Sequence, residues 1–163
     1  MNPMSTNDLF VYAAAYDDEG DARSDLETFQ ELASVGVVGK YDTAVLTKGE
    51  DGKVHVEKHG TASKSGGWKG AIAGGIVGLL FPPSILVGSL AGGAAGALAG
   101  KLWGGMSRSN LKEIGEALDE HETGLVIVGE STVDELVEKA LKKARKRVRK
   151  ELKVTRKEIE KEL

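Results

Sequence analysis

GGWKGAIAGGIVGLLFPPSILVGSLAGGAAGALAGKLWGG, residues 66–105, is the stretch on which the reading of this chain turns. Glycine recurs at Gly66, Gly70, Gly74 and Gly78, then at Gly88, Gly92, Gly96, Gly100 and Gly104. Both series keep strict four-residue spacing, which winds slowly around an α-helix as a single stripe. The opposite face carries Ile72, Ile76 and Leu80 in the first arm, and Leu86, Leu90, Leu98 and Leu102 in the second. Glycine in a helix costs about 1 kcal/mol relative to alanine. So many of them predict backbones that approach closely, as small-xxx-small helix pairs do. Between the arms, Pro82 pushes Phe81 out of the α region and Ser84 can cap the second helix. The expectation is a glycine-zipper helical hairpin over residues 66–105, its bulky faces turned to lipid or to a protein core.

No charge falls between Lys69 and Lys101. One membrane-spanning helix needs about 20 apolar residues and two need about 40; this uncharged stretch suits neither. From Trp68 to Leu80 the first arm rises only about 18 Å, short of a hydrocarbon core of roughly 30 Å. A re-entrant hairpin fits better, with Trp68, Lys69, Lys101 and Trp103 as anchors at one membrane–water interface. The expected place is the cytoplasmic side of a membrane. The alternative is a cytoplasmic assembly that buries the hairpin in its own core.

Outward from this stretch the pattern is that of a soluble domain. Leu9 to Tyr16 is a nearly continuous apolar run and reads as a strand. Ala22, Leu26, Phe29, Leu32 and Ala33 recur at helical spacing after an acidic start, where the helix dipole favours carboxylates. Tyr41–Lys48 and Lys53–His59 read as a β-hairpin turning at Glu50-Asp51-Gly52. Leu111, Ile114, Ala117 and Leu118 mark a second amphipathic helix, and Leu125 to Val128 a last strand. The order β-α-β-β-α-β predicts an α+β, ferredoxin-like domain in two parts, residues 8–65 and 106–130. Helices on one face would leave the other sheet face open to a small ligand.

Residues 131–163 read as a long amphipathic basic helix. Val137, Leu141, Ala144, Val148, Leu152, Thr155, Ile159 and Leu163 recur in steps of three and four, an eleven-residue repeat that keeps a seam nearly straight. Ser131 and Asp134 resemble a capping box. Packing against partner helices is the expectation for this seam, and an anionic lipid surface the alternative.

Charge and composition exclude several classes. The formal net charge is -3 and there is no cysteine, so disulfides and thiolate chemistry are absent. Residues 1–60 are acidic and residues 133–163 basic, but no aromatic or groove-reading motif accompanies the basic run, so nucleic acid is not an expected partner. Gly100-Lys101 lacks the preceding glycine and following Ser or Thr of a phosphate loop. His55 and His59 lie in a β-like run, about 13 Å apart, too far for one metal ion. His121 shows no evident partner, and Asp17, Asp18 and Glu19 read as a solvated loop or helix start, with cation binding the alternative. No catalytic residue, metal site or cofactor emerges.

The acidic turn after the first strand, the Glu50-Asp51-Gly52-Lys53 hairpin, the stretch from Gly70 through Phe81-Pro82, and the return through Leu111–Leu118 into Gly124-Leu-Val-Ile-Val resemble the bacterial family called domain of unknown function 1269. The resemblance spans roughly residues 8–140. It implies a prokaryotic source and membrane association and offers no catalytic residues to transfer; the basic tail looks like an extension. The expected function is a non-enzymatic, membrane-associated, self-assembling structural protein. The alternatives are a soluble homo-oligomer or shell, and a small-ligand-binding domain.

Overall fold

Leu9 to Tyr16 is buried along its whole length, within a first strand β1 that spans Asp8–Tyr16. The computed structural model describes residues 8–35, 41–58, 71–81, 83–88, 102, 104–119, 121–155, 157, 158 and 161. A strand that is apolar on both sides needs cover on both faces, and β1 has it. The next element, α1, spans Glu19–Val35. Asp18 Oδ1 accepts the Gly20 N–H at 3.0 Å at its start, where Glu19 and Asp21 also complement the dipole. The hairpin follows as β2 (Tyr41–Lys48) and β3 (Val54–Lys58). Gly52 supplies the positive φ of the turn, 78°, and Asp51 Oδ1 accepts the Lys53 N–H at 3.0 Å.

The remaining elements are α2 (Ala71–Leu80), a 3-10 turn (Pro83–Ile85), β4 (Leu86–Gly88), α3 (Arg108–Asp119), β5 (Thr123–Glu130), α4 (Asp134–Ala140) and β6 (Lys146–Thr155). The fold is a mixed α+β one. Its six-stranded sheet has the order β4-β3-β2-β5-β1-β6. β5 is antiparallel to both β1 and β2 and lies between them. That order departs from the ferredoxin-like one, in which the third strand separates the first two. The physical reason lies in the strands. Leu125, Val126, Ile127 and Val128 are buried on both sides of β5, which suits the middle of a sheet. β3 buries only alternate residues, Val54 and Val56, which suits a place nearer the edge.

Helices cover both faces. Leu9, Val11, Ala13, Ala44, Leu46, Val126 and Val128 pack beneath α2 and α3. Phe10, Tyr12, Ala14, Tyr16, Val45, Leu125 and Ile127 pack beneath α1 and α4. The arrangement is α/β/α, with two cores on one sheet. The open sheet face expected for a small ligand is therefore not present.

The tail is the largest correction. It is not a long helix: α4 ends at Ala140, and the chain then runs as a strand antiparallel to β1, with Tyr12 opposite Arg149 and Leu9 opposite Leu152. Of the expected seam, Val137 is buried in α4, Leu141 is buried just after it, and Ala144 is half-buried in the following turn. Val148 and Leu152 belong to β6, and Leu152 is fully buried. Ile159 and Leu163 lie outside the described residues. Ser131 opens a 3-10 turn, Ser131–Val133, and no side chain caps either that turn or α4.

The glycine-rich stretch is not an appendage on a finished domain. Ile72, Ala73, Ile76, Val77 and Leu102 have no exposed surface and sit in the core shared with β1, β2 and β5. Nor does a second helical arm begin at Leu86, because Leu86–Gly88 pairs in parallel with β3 at the sheet edge. Gly66, Trp68, Lys69, Gly70, Leu90, Gly92, Gly96, Leu98, Gly100, Lys101 and Trp103 lie outside the described residues.

Candidate functional site

The first helix of the glycine-rich stretch has two unlike sides. Its bulky side, Ile72 and Ile76, rests on the sheet. At 3.6 residues per turn the other side carries Gly74, Gly75 and Gly78. Gly74 is buried, Gly75 half-buried and Gly78 exposed. A Cβ built on Gly78 would meet nothing within 4 Å. Nothing described in the chain itself requires a glycine there, although glycine is costly in a helix interior.

Two glycines later in the stretch differ in the same way. Gly104, which falls on the expected stripe, faces open space. Its neighbour Gly105 does not fall on that stripe, yet a Cβ there would lie 2.4 Å from Val154 Cγ2 and 2.9 Å from Leu152 Cδ1. Gly105 is thus the glycine that β6 needs. Four-residue spacing could not reveal it, because the partner strand was not expected.

Beside α2 runs an open groove of about 550 Å³, floored by Leu79, Leu80, Phe81 and Leu111. Gly115 of α3 lies in its wall, with Leu80 Cδ2 the nearest atom to a built Cβ at 3.8 Å. Leu80 is half-buried here, as is Leu86 against the same core.

Polar clusters gather elsewhere. Asp17, at the end of β1, is hydrogen-bonded to His121 Nδ1 at 2.8 Å and to Arg145 Nε at 2.7 Å. The bond to His121, then that to Arg145, holds the Asp17 carboxyl below its ordinary range. So His121 does have a partner. An Asp–His pair is the orienting half of a nucleophilic triad, but among the described residues no hydroxyl is bonded to His121. The cluster is a clamp that ties the starts of β5 and β6 to the end of β1. Beneath it, Tyr16 donates to Asp25 Oδ2 at 3.0 Å, and the Lys143 N–H donates to the same oxygen at 2.9 Å. Burial, reinforced by Asp25, raises the Tyr16 phenol.

A third cluster joins β6 to α4. Arg149 grips Asp134 in bidentate fashion at 2.8 and 2.9 Å, and Tyr12 donates to the same carboxylate. The guanidinium also lies 3.8 Å from the centroid of the Phe10 ring, a cation–π contact. The cleft alongside, about 480 Å³, is lined in part by these same groups. They satisfy one another, so the cluster serves as a fastening for β6. His55 is exposed on β3, and His59 lies outside the described residues. Among the described residues no group of three or more His, Asp or Glu is placed to hold a metal ion. Among them, too, no helix is long and apolar enough to cross a membrane.

The family model described as "Protein of unknown function (DUF1269)" matches residues 67–163, more than half of the chain, and the chain belongs to that family. The match runs through β6 to the C-terminal residue, so the tail is part of the family's domain and not an extension of it. No curated protein and no solved structure matches the chain.

Proposed function

We propose, with that family membership as the premise, that the chain is a non-enzymatic structural protein that assembles with itself and associates with a membrane through its glycine-rich stretch. One observation carries the self-assembly reading. The bulky side of α2 is engaged by the chain's own sheet, while its small-residue side reaches solvent at Gly78 with nothing within 4 Å. A glycine face lets a second helix approach to backbone distance. The membrane part rests on the uncharged composition of residues 70–100.

A second reading is a soluble homo-oligomer or shell. The burial of Ile72 and Ile76 inside the domain favours it, because these side chains are not offered to lipid. Fractionation of the full chain separates the two. Flotation with liposomes that survives high-salt and carbonate washes supports membrane association. A discrete soluble particle that never floats removes the membrane from the account and leaves the oligomer.

A further inference from the structure

We infer that α3 and the groove beside it pair with the same surface of a second copy of this chain, antiparallel about a two-fold axis near Gly115. The inference rests on the self-assembly reading and names a surface for it other than the glycine side of α2.

Three observations converge. The groove is apolar at its floor, where Leu79, Leu80 and Phe81 are covered only in part. Its α3 wall is charged with opposite signs at its two ends. Arg108 and Lys112 line the N-terminal half, Glu116 and Asp119 the C-terminal half. Gly115 lies between them, mid-helix, where the nearest atom to a built Cβ is at ordinary van der Waals distance. Nothing among the described residues therefore requires a glycine at this point, although glycine is the poorest helix former after proline.

A second copy is the occupant that suits all three. Laid antiparallel, its acidic half meets this chain's basic half and its basic half meets this chain's acidic half, as an isologous contact requires. A missing side chain at the crossing point lets the two backbones come close. Arg108 has no partner among the described residues, Lys112 and Glu116 stand 4.0 Å apart on an exposed surface, free to exchange, and the exposed Asp119 carboxylate is shared with Lys48 at 3.0 Å. A uniformly acidic or uniformly basic helix would meet like charge over half its length. Together with the α2 face, this gives each protomer two distinct self-contacts, which build beyond a dimer.

The test uses sedimentation velocity of the full chain across a range of concentrations. One variant carries Arg108→Glu with Lys112→Glu, a second Glu116→Lys with Asp119→Lys, and a third Gly78→Leu. Each charge variant presents one sign along the α3 wall of the groove, so each should self-associate at least tenfold more weakly than the unaltered chain. An equimolar mixture of the two should recover association, which misfolded variants could not do. A mixture that stays dissociated, or charge variants that associate as the unaltered chain does, overturns the inference. If Gly78→Leu alone dissolves the assembly, the α2 contact stands and the α3 pairing falls. If the charge variants dissolve it and Gly78→Leu does not, the α3 pairing stands without the α2 contact.

Discussion

Asp42 Oδ2 accepts the backbone N–H of Ile72 at 2.9 Å, and that of Ala73 at 3.1 Å. The carboxylate is fully buried on β2, and it caps a helix that begins some thirty residues later in the chain. The first N–H groups of a helix lack partners of their own, and a negative charge at that end is favoured by the dipole. The contact therefore fixes α2 to the sheet at one end, while Ile72 and Ile76 fix it along its length.

Removing this carboxylate leaves buried N–H groups unsatisfied, which costs about 1–3 kcal/mol. Asp42→Ala should lower the urea midpoint accordingly. Asp42→Asn keeps an acceptor oxygen and should lose less. Equal midpoints for Asp42→Ala and the unaltered chain would mean that α2 is held by its apolar side alone.

Two glycines should respond to alanine with opposite signs. At Gly78 a methyl enters open space, and helix propensity gains up to about 1 kcal/mol. At Gly105 a methyl collides with Val154 and Leu152, and overpacking of this kind costs about 1–3 kcal/mol. Thermal unfolding of Gly78→Ala and Gly105→Ala measures both. A Gly105→Ala chain as stable as its parent would show that β6 can yield at this point.

In the basic tail, Leu152 is a core residue of the domain and not part of a seam between subunits. Leu152→Ala should destabilise the monomer fold by about 2–5 kcal/mol. Lys146 and Lys153 are exposed and have no partner among the described residues. Changing both to Gln should move stability by no more than about 0.5 kcal/mol each. A change in oligomer mass with unaltered stability in Leu152→Ala would restore the seam.

The tail shows why part of the fold was hidden in the sequence. Val148 and Leu152 are four residues apart, a step that both a helix and a strand accept. Val154 separates the two periods: it lies two residues past Leu152, off the helical stripe, and is buried in β6. No Gly or Pro marks the end of α4 at Ala140, so the stop was silent. By contrast, β1, the Gly52 turn, α1 and β5 carry their signals within a few residues and are read directly. Gly78 was legible as one of a stripe. The groove was not, because it exists only once Phe81 and Gly115 are brought to the same place. The Asp42 cap and the Asp17–His121 pair join residues far apart in the chain, beyond the reach of local pattern.

All three tyrosines of the chain, Tyr12, Tyr16 and Tyr41, have their phenol pKa raised, in each case chiefly by burial. A raised value means that the fold favours the neutral phenol. That contribution is complete below the unfolded value of about 10 and is lost as pH rises through the folded values. Phenolate absorbance in the native chain should therefore appear only at a pH above this point. The urea-unfolded chain should titrate at about 10. Reversible phenolate formation at that pH with circular dichroism unchanged would contradict the burial of these rings.

The glycine side of α2, exposed at Gly78, is the centre of the account, and a single thiol tests it most directly. The chain has no cysteine, so Gly78→Cys creates one reporter on that side. Val35→Cys places another on α1, across the sheet, at a residue that is 84% exposed. A disulfide forms only where two Cα atoms come within about 7 Å. On mild oxidation of the assembled protein, Gly78→Cys should yield covalent dimers in high fraction while Val35→Cys stays monomeric. Dimers from Val35→Cys in equal measure, or none from Gly78→Cys in a protein that still assembles, would contradict self-association through this face.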